Sequence, residues 1–219
     1  MVKAINPFPP EALLRKFSRM AERSRSPDGD RHGDGWGAAW LDDAGRWRSI
    51  KSLRPIWEEH DAIRQVPASR FALVHARSSS FPQHKCVPAY IQPFLDGNYA
   101  FVFNGLLRGV SLQVPGRIGS QKIWVLLLTL LKQAEDGESS VLGSFAELYR
   151  ILSKSSRRLQ ALNIGLCDGK HIYAGCQYES DADYYNLCIH DSAPLKMISS
   201  EPLEGFDFQP VQPGPVIRL

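Results

Sequence analysis

With 219 residues, 43% apolar and 22% charged, the chain has enough hydrophobic material for one large domain or two small ones, and disorder over most of its length is excluded. A formal net charge of +3 is too slight to argue for a polyanionic partner. The longest greasy run, 123–131, is far too short to cross a bilayer, and the first residues carry no secretory leader pattern, so a cytoplasmic protein is expected.

Pro9-Pro10-Glu11 opens a helix whose apolar stripe is Leu13, Leu14, Phe17, Met20 and Ala21. A polar, glycine-rich loop occupies 24–35. Strands are expected at 36–41 and 46–52, joined in hairpin fashion at Asp42-Asp43-Ala44-Gly45. Another strand at 71–76 ends on Arg77, and the long aperiodic stretch 78–96 that follows is of the kind that carries function. The strand at 98–103 runs straight into Asn104-Gly105. Helices are expected at 121–134, apolar nearly all round, and at 141–153, with a stripe of Phe145, Leu148, Ile151 and Leu152. The rest reads as β-structure: 162–167, a two-residue Asp168-Gly169 turn, 170–176, 184–190, 195–199 and 216–219. Strands, two adjacent helices, then strands again predict a layered α+β fold. No repeat or Gly/Ser linker divides the chain, so 1–219 reads as one domain.

Arg15, Arg19 and Arg23 share a helix face, which a solvated surface explains better than a nucleic-acid patch. The four cysteines, Cys86, Cys167, Cys176 and Cys188, form no C-x-x-C pair, so no zinc site is expected. The last three lie in strand-like runs, where free thiols behave as small hydrophobes.

Three runs carry the candidate chemistry: His32-Gly33-Asp34-Gly35-Trp36-Gly37, His75-Ala76-Arg77-Ser78-Ser79-Ser80, and Phe103-Asn104-Gly105. Each has an ordinary reading by itself. The first is a glycine-permissive entry to a strand, Arg77 a surface ion-pair partner, and Asn104-Gly105 a type I′ turn. Together, and with 161–170, Ser199-Ser200-Glu201-Pro202-Leu203 and 210–217 in the same order, the chain resembles the class II glutamine amidotransferases, N-terminal-nucleophile hydrolases of the stand-alone D-G-W-G branch.

The resemblance implies a four-layer αββα sandwich of two antiparallel sheets. It implies hydrolysis of the side-chain amide of glutamine or a γ-glutamyl amide, with no cofactor and no metal. Asn104 and Gly105 would form the oxyanion hole, where preorganised donors each contribute roughly 3 kcal/mol. Arg77 would hold the substrate's α-carboxylate with its bidentate fork, Ser80 would sit beside it, and Gly35, Trp36 and Gly37 would wall the nucleophile. In that family the first residue is a cysteine whose own α-amine acts as base. Here the chain starts Met1-Val2-Lys3-Ala4, with no such nucleophile. The family's His before Pro-Phe stands as Gln92, its His before Asn-Gly as Phe103, and its acidic residue near Ser120 as Gly119. Two readings follow: an amidohydrolase whose cysteine lies upstream, or a non-catalytic binding or complex-partner subunit. The first takes a glutamine or γ-glutamyl small molecule and hands ammonia to water or to a partner subunit. Homo-oligomerisation is open.

Overall fold

The computed structural model describes residues 1–134 and 138–219. In chain order the elements are β1 (Val2–Phe8), α1 (Glu11–Glu22), β2 (Trp36–Leu41), β3 (Trp47–Ser52), α2 (His60–Arg64), β4 (Ser69–Ala76), β5 (Phe94–Asp96) and β6 (Tyr99–Val110). Then come α3 (Gly119–Gln133), α4 (Glu138–Ser155), β7 (Ser156–Cys167), β8 (Ile172–Gly175), α5 (Ala182–Tyr185), β9 (Cys188–Ser192), β10 (Leu195–Ser199), β11 (Gln209–Pro210) and β12 (Ile217–Arg218). Among the described residues no helix is long and apolar enough to cross a membrane.

Two antiparallel sheets stack between two helical layers. One sheet has the order β11-β9-β10-β1-β4-β2-β3, the other β12-β8-β7-β6-β5. Strand alternation gives each sheet two buried faces. Phe71, Leu73 and Ile198 of the larger sheet meet Ala100, Cys167, Ile172 and Ala174 of the smaller in the space between them. On the smaller sheet's outer face, α3 and α4 pack side by side, with Trp124 stacked 5.0 Å from Phe101. Phe145 and Leu148 are completely buried there, each worth about 1.5–3 kcal/mol of transfer free energy. On the larger sheet's outer face, α1 covers Trp36, Ala38 and Ala76 through Leu14 and Ala21. Its arginines behave as a solvated face: Arg15 pairs with Glu11 at 2.8 Å and Arg19 with Glu204 at 3.1 Å.

Three expectations need correction, and one strand stands where the sequence pattern gives no reading. Residues 2–8 form a strand in the middle of the larger sheet, paired to β4 on one side and β10 on the other. Its Pro7 and polar Asn6 hide that role, because only Val2 and Ala4 are buried. Asn104-Gly105 is neither a turn nor a strand end. β6 continues through it, Asn104 facing Asn163 and Gly105 facing Leu162, because β7 starts directly after α4 and supplies a partner that far out. The Asp168-Gly169 connection spans four residues, since Cys167 pairs with Ile172 and the Asp168 carboxylate accepts from the N–H groups of Lys170 and His171. The run 184–190 is broken by α5, whose first turn closes on the Asp181 carbonyl before β9 begins.

Candidate active site

A cleft of about 710 Å³ lies at one end of the sandwich, between β6, the start of α3 and the loops after α1 and β4. Arg77, Ser80, Asn104 and Gly105 all border it. Arg77 is only 8% exposed and reaches it from the end of β4. Backbone bonds on both sides hold that position: the Arg77 N–H donates to the Gly35 carbonyl and the Asp34 N–H to the Arg77 carbonyl, each at 2.8 Å. Its Nη2 donates to Ser79 Oγ at 3.0 Å, its guanidinium lies 6.0 Å from the Tyr90 ring, and its buried Nη1 has no partner among the described residues. Burial lowers the Arg77 pKa, opposed by Asp34. Such a guanidinium keeps one buried donor free to bond. The serine that touches it is Ser79, whereas Ser80 is exposed on the rim.

Gly35, Trp36 and Gly37 do not line the cleft. Trp36 is fully buried beneath α1, because β2 turns its side chain to the outer face of the sheet. Gly35 has φ +104, and a Cβ on it would strike the Ser52 carbonyl at 2.6 Å. A Cβ on Gly37 would strike the Gln92 carbonyl. The segment therefore acts by holding the Arg77 end of β4 and admitting the Gln92 backbone.

Gln92 is 4% exposed and grips the residue just before Asn104. Its Oε1 accepts from the Phe103 N–H at 2.6 Å and its Nε2 donates to the Phe103 carbonyl at 3.3 Å. Replacing Gln92 with leucine leaves both groups buried without partners, at ~1–3 kcal/mol each. The expected destabilisation is about 2–6 kcal/mol by urea unfolding, and a loss under about 0.5 kcal/mol shows the clamp to be idle.

The sequence motifs assign no role to three further groups on the cleft wall. His75 is two residues before Arg77 on β4, and that parity was the available signal. Burial first, then His32 and Arg77, pull its pKa to about 3, so it is a neutral imidazole, and its Nδ1 is buried without a partner among the described residues. His32 Nε2 lies 3.1 Å from both Ser24 Oγ and Tyr184 Oη, and Ser24 donates at 2.9 Å to Glu201, a carboxylate 5% exposed. This chain of bonds ties the loop after α1 to the segment after β10. No local pattern could have revealed it. At α3 the first turn carries no acid. The cleft's carboxylates are instead Asp28, Asp30 and Asp181, with Asp30 accepting from Ser78 at 3.2 Å.

A second cavity, about 110 Å³, touches the first. Its walls include Leu14 and Phe17 of α1 on the outer side of the larger sheet and Asn104 and Asn163 of the smaller sheet. It passes through the larger sheet just beyond Met1, where β1 begins. Val74 and His75 of β4 form one edge, Ile198 to Ser200 the other. Met1 closes its inner end, its amine donating to the Ile198 carbonyl at 2.7 Å. His75, Phe103, Asn104 and Ser200 border both cavities.

No family model matches the chain. The fold is shared with a glutamine aminotransferase class-II domain protein from Silicibacter pomeroyi, at TM-score 0.60 and 18% identity over 85% of this chain and 91% of that one. It is also shared with glutamine phosphoribosylpyrophosphate amidotransferase from B. subtilis, at TM-score 0.64 and 14% identity over 100% of this chain and 48% of that one. In sequence it is similar to the γ-glutamyl-hercynylcysteine sulfoxide hydrolase of Mycolicibacterium smegmatis, 37% identical over 169 residues, 72% of this chain and 71% of that protein. The chain belongs to the class II glutamine amidotransferase family. As a family member it has the αββα sandwich of an N-terminal-nucleophile hydrolase, with β1 at the centre of one sheet.

Proposed function

We propose that this amidotransferase-family protein hydrolyses the side-chain amide of glutamine or of a γ-glutamyl compound, with a cysteine ahead of Met1 as nucleophile. The observation that carries this reading is the meeting of the two cavities at Asn104: one is large enough for a substrate, the other continues the lane of β1. Val2 faces Ala72 and Met197, so at the position two residues before Met1 the register reaches His75 and Ser200. Strand alternation sends that side chain to the same face as Met1, which packs against Gly165 in the sandwich interior, on the Asn104 side.

In this reading Arg77 Nη1 takes the α-carboxylate of the glutamyl half. The thiol loses its proton to the neighbouring α-amine and its sulfur adds to the amide carbon. The carbonyl oxygen becomes an oxyanion held by the Asn104 side-chain amide and the Gly105 N–H. The C–N bond then breaks, the amine leaving with the proton, and water releases the thioester as a free carboxylate.

The test adds Met-Cys-Ala directly ahead of Met1, so that loss of the initiator exposes cysteine two residues before Met1. That chain should release ammonia from glutamine or amine from a γ-glutamyl amide, and a thiol-reactive glutamine analogue should block it. One extra residue between the cysteine and Met1 turns the thiol to the other face and should abolish turnover. A folded Met-Cys-Ala chain that hydrolyses neither substrate moves the conclusion to the non-catalytic partner subunit.

A further inference from the structure

The cleft is far larger than the group to be hydrolysed. Glutamine has about ten non-hydrogen atoms and fills at most roughly 300 Å³, even at the ~30 Å³ each that water takes in the liquid. The cleft holds about 710 Å³.

The surplus has a direction and a chemistry. β6 continues past Asn104 to Val110, about 20 Å at ~3.3 Å per residue, and borders the cleft through Asn104 to Arg108 and again at Val110. Side chains on one face of a strand recur every second residue, so Asn104 is followed on its own face by Leu106 and Arg108, before Gly109, at φ +62, breaks the alternation. Val110 is 41% exposed, one of the few large apolar side chains left in solvent. Arg108 is exposed, and among the described residues no carboxylate lies within ion-pair distance of it. An oxyanion donor is thus followed by an apolar position and then an unpaired cation.

Resting on the hydrolase reading above, we infer that the leaving half of the substrate is an amine with an apolar body and a terminal carboxylate: the substrate is a γ-glutamyl dipeptide with a hydrophobic second residue. Arg77 holds the carboxylate of the glutamyl half. Leu106 contacts the hydrophobic side chain, and Arg108 holds the carboxylate of the departing amino acid. The reaction that supplies such a substrate is a γ-glutamyl transfer onto the amine of a hydrophobic amino acid. Hydrolysis returns glutamate and that amino acid.

The 219-residue chain lacks the nucleophile and so binds without turnover, which separates this inference from the chemistry. Isothermal titration is run with γ-glutamyl-phenylalanine, with γ-glutamyl-phenethylamine, which lacks the second carboxylate, and with glutamine. The dipeptide should bind at least tenfold tighter than either of the others. Arg108→Gln, an exposed substitution whose melting temperature is checked in parallel, should bring the dipeptide and the phenethylamine to within about twofold of each other. Equal affinity for all three ligands, no binding of any, or a carboxylate preference that survives Arg108→Gln overturns the inference. If the dipeptide preference appears but the Met-Cys-Ala chain hydrolyses nothing, the hydrolase reading falls and the ligand class stands.

Discussion

Asn104→Ala in the Met-Cys-Ala chain lowers kcat by about 10²–10³-fold and leaves KM within a few fold. An oxyanion donor meets a developing charge that the bound amide does not yet carry, so its removal costs about 2.7–4 kcal/mol in the transition state and little in the ground state. The local architecture favours a fixed donor. Asn104 sits inside a paired strand opposite Asn163, and the residue before it is gripped at both backbone groups by Gln92. Gly105 lies so close to the Ala161 carbonyl that a Cβ cannot be accommodated, which fixes a glycine at the second donor. Steady-state kinetics on a γ-glutamyl amide, with an unfolding curve to confirm the fold, decides the matter. A fall confined to KM assigns Asn104 to ground-state binding, and no fall removes it from the site.

The 219-residue chain gains stability, on the order of 2 kcal/mol, between about pH 6 and pH 8. Its Met1 amine lies inside the sheet against the Ile198 carbonyl, and burial pulls its pKa from 8.0 to about 6, against weak opposition from Cys167 and Cys188. The folded pKa lies below the unfolded one, so the unfolded chain binds the extra proton in that window. Stability therefore rises with pH there and is lost as pH falls through it, the change being complete only about one pH step beyond either pKa value. His75, at about 3 against 6.5, continues the loss below pH 6.5 with the same sign. Cys167 and Cys188, raised from 9.0 to about 12, reverse it above pH 9.0, where the unfolded thiols ionise first. The optimum falls near about pH 8–9. Urea midpoints at about pH 6.5 and about pH 8.5 measure the Met1 part. Acetylating Met1 removes the titrating amine and should flatten that interval while leaving the fall below it. A slope that survives acetylation assigns the effect to other groups.

Elements whose pattern is local are legible in the chain alone. Strands at 36–41 and 195–199, both long helices, and the order of the Arg77 and Asn104-Gly105 runs follow from periodicity and motif. A helix stripe or an alternating strand declares its faces without knowing its partner. Whatever depends on which partner a face meets needs the folded molecule. The family resemblance implies a place for Trp36 in the wall beside the nucleophile, yet β2's pairing with β4 turns it under α1. Ser79 and not Ser80 bonds Arg77, because the loop after β4 curls back on Asp34. Residues 2–8 become a central strand only because β4 and β10 flank them, and the cavity beyond Met1 exists only where those two strands run on. Register and loop closure are non-local free energies, and no short window of the chain contains both sides of the pairing that fixes them.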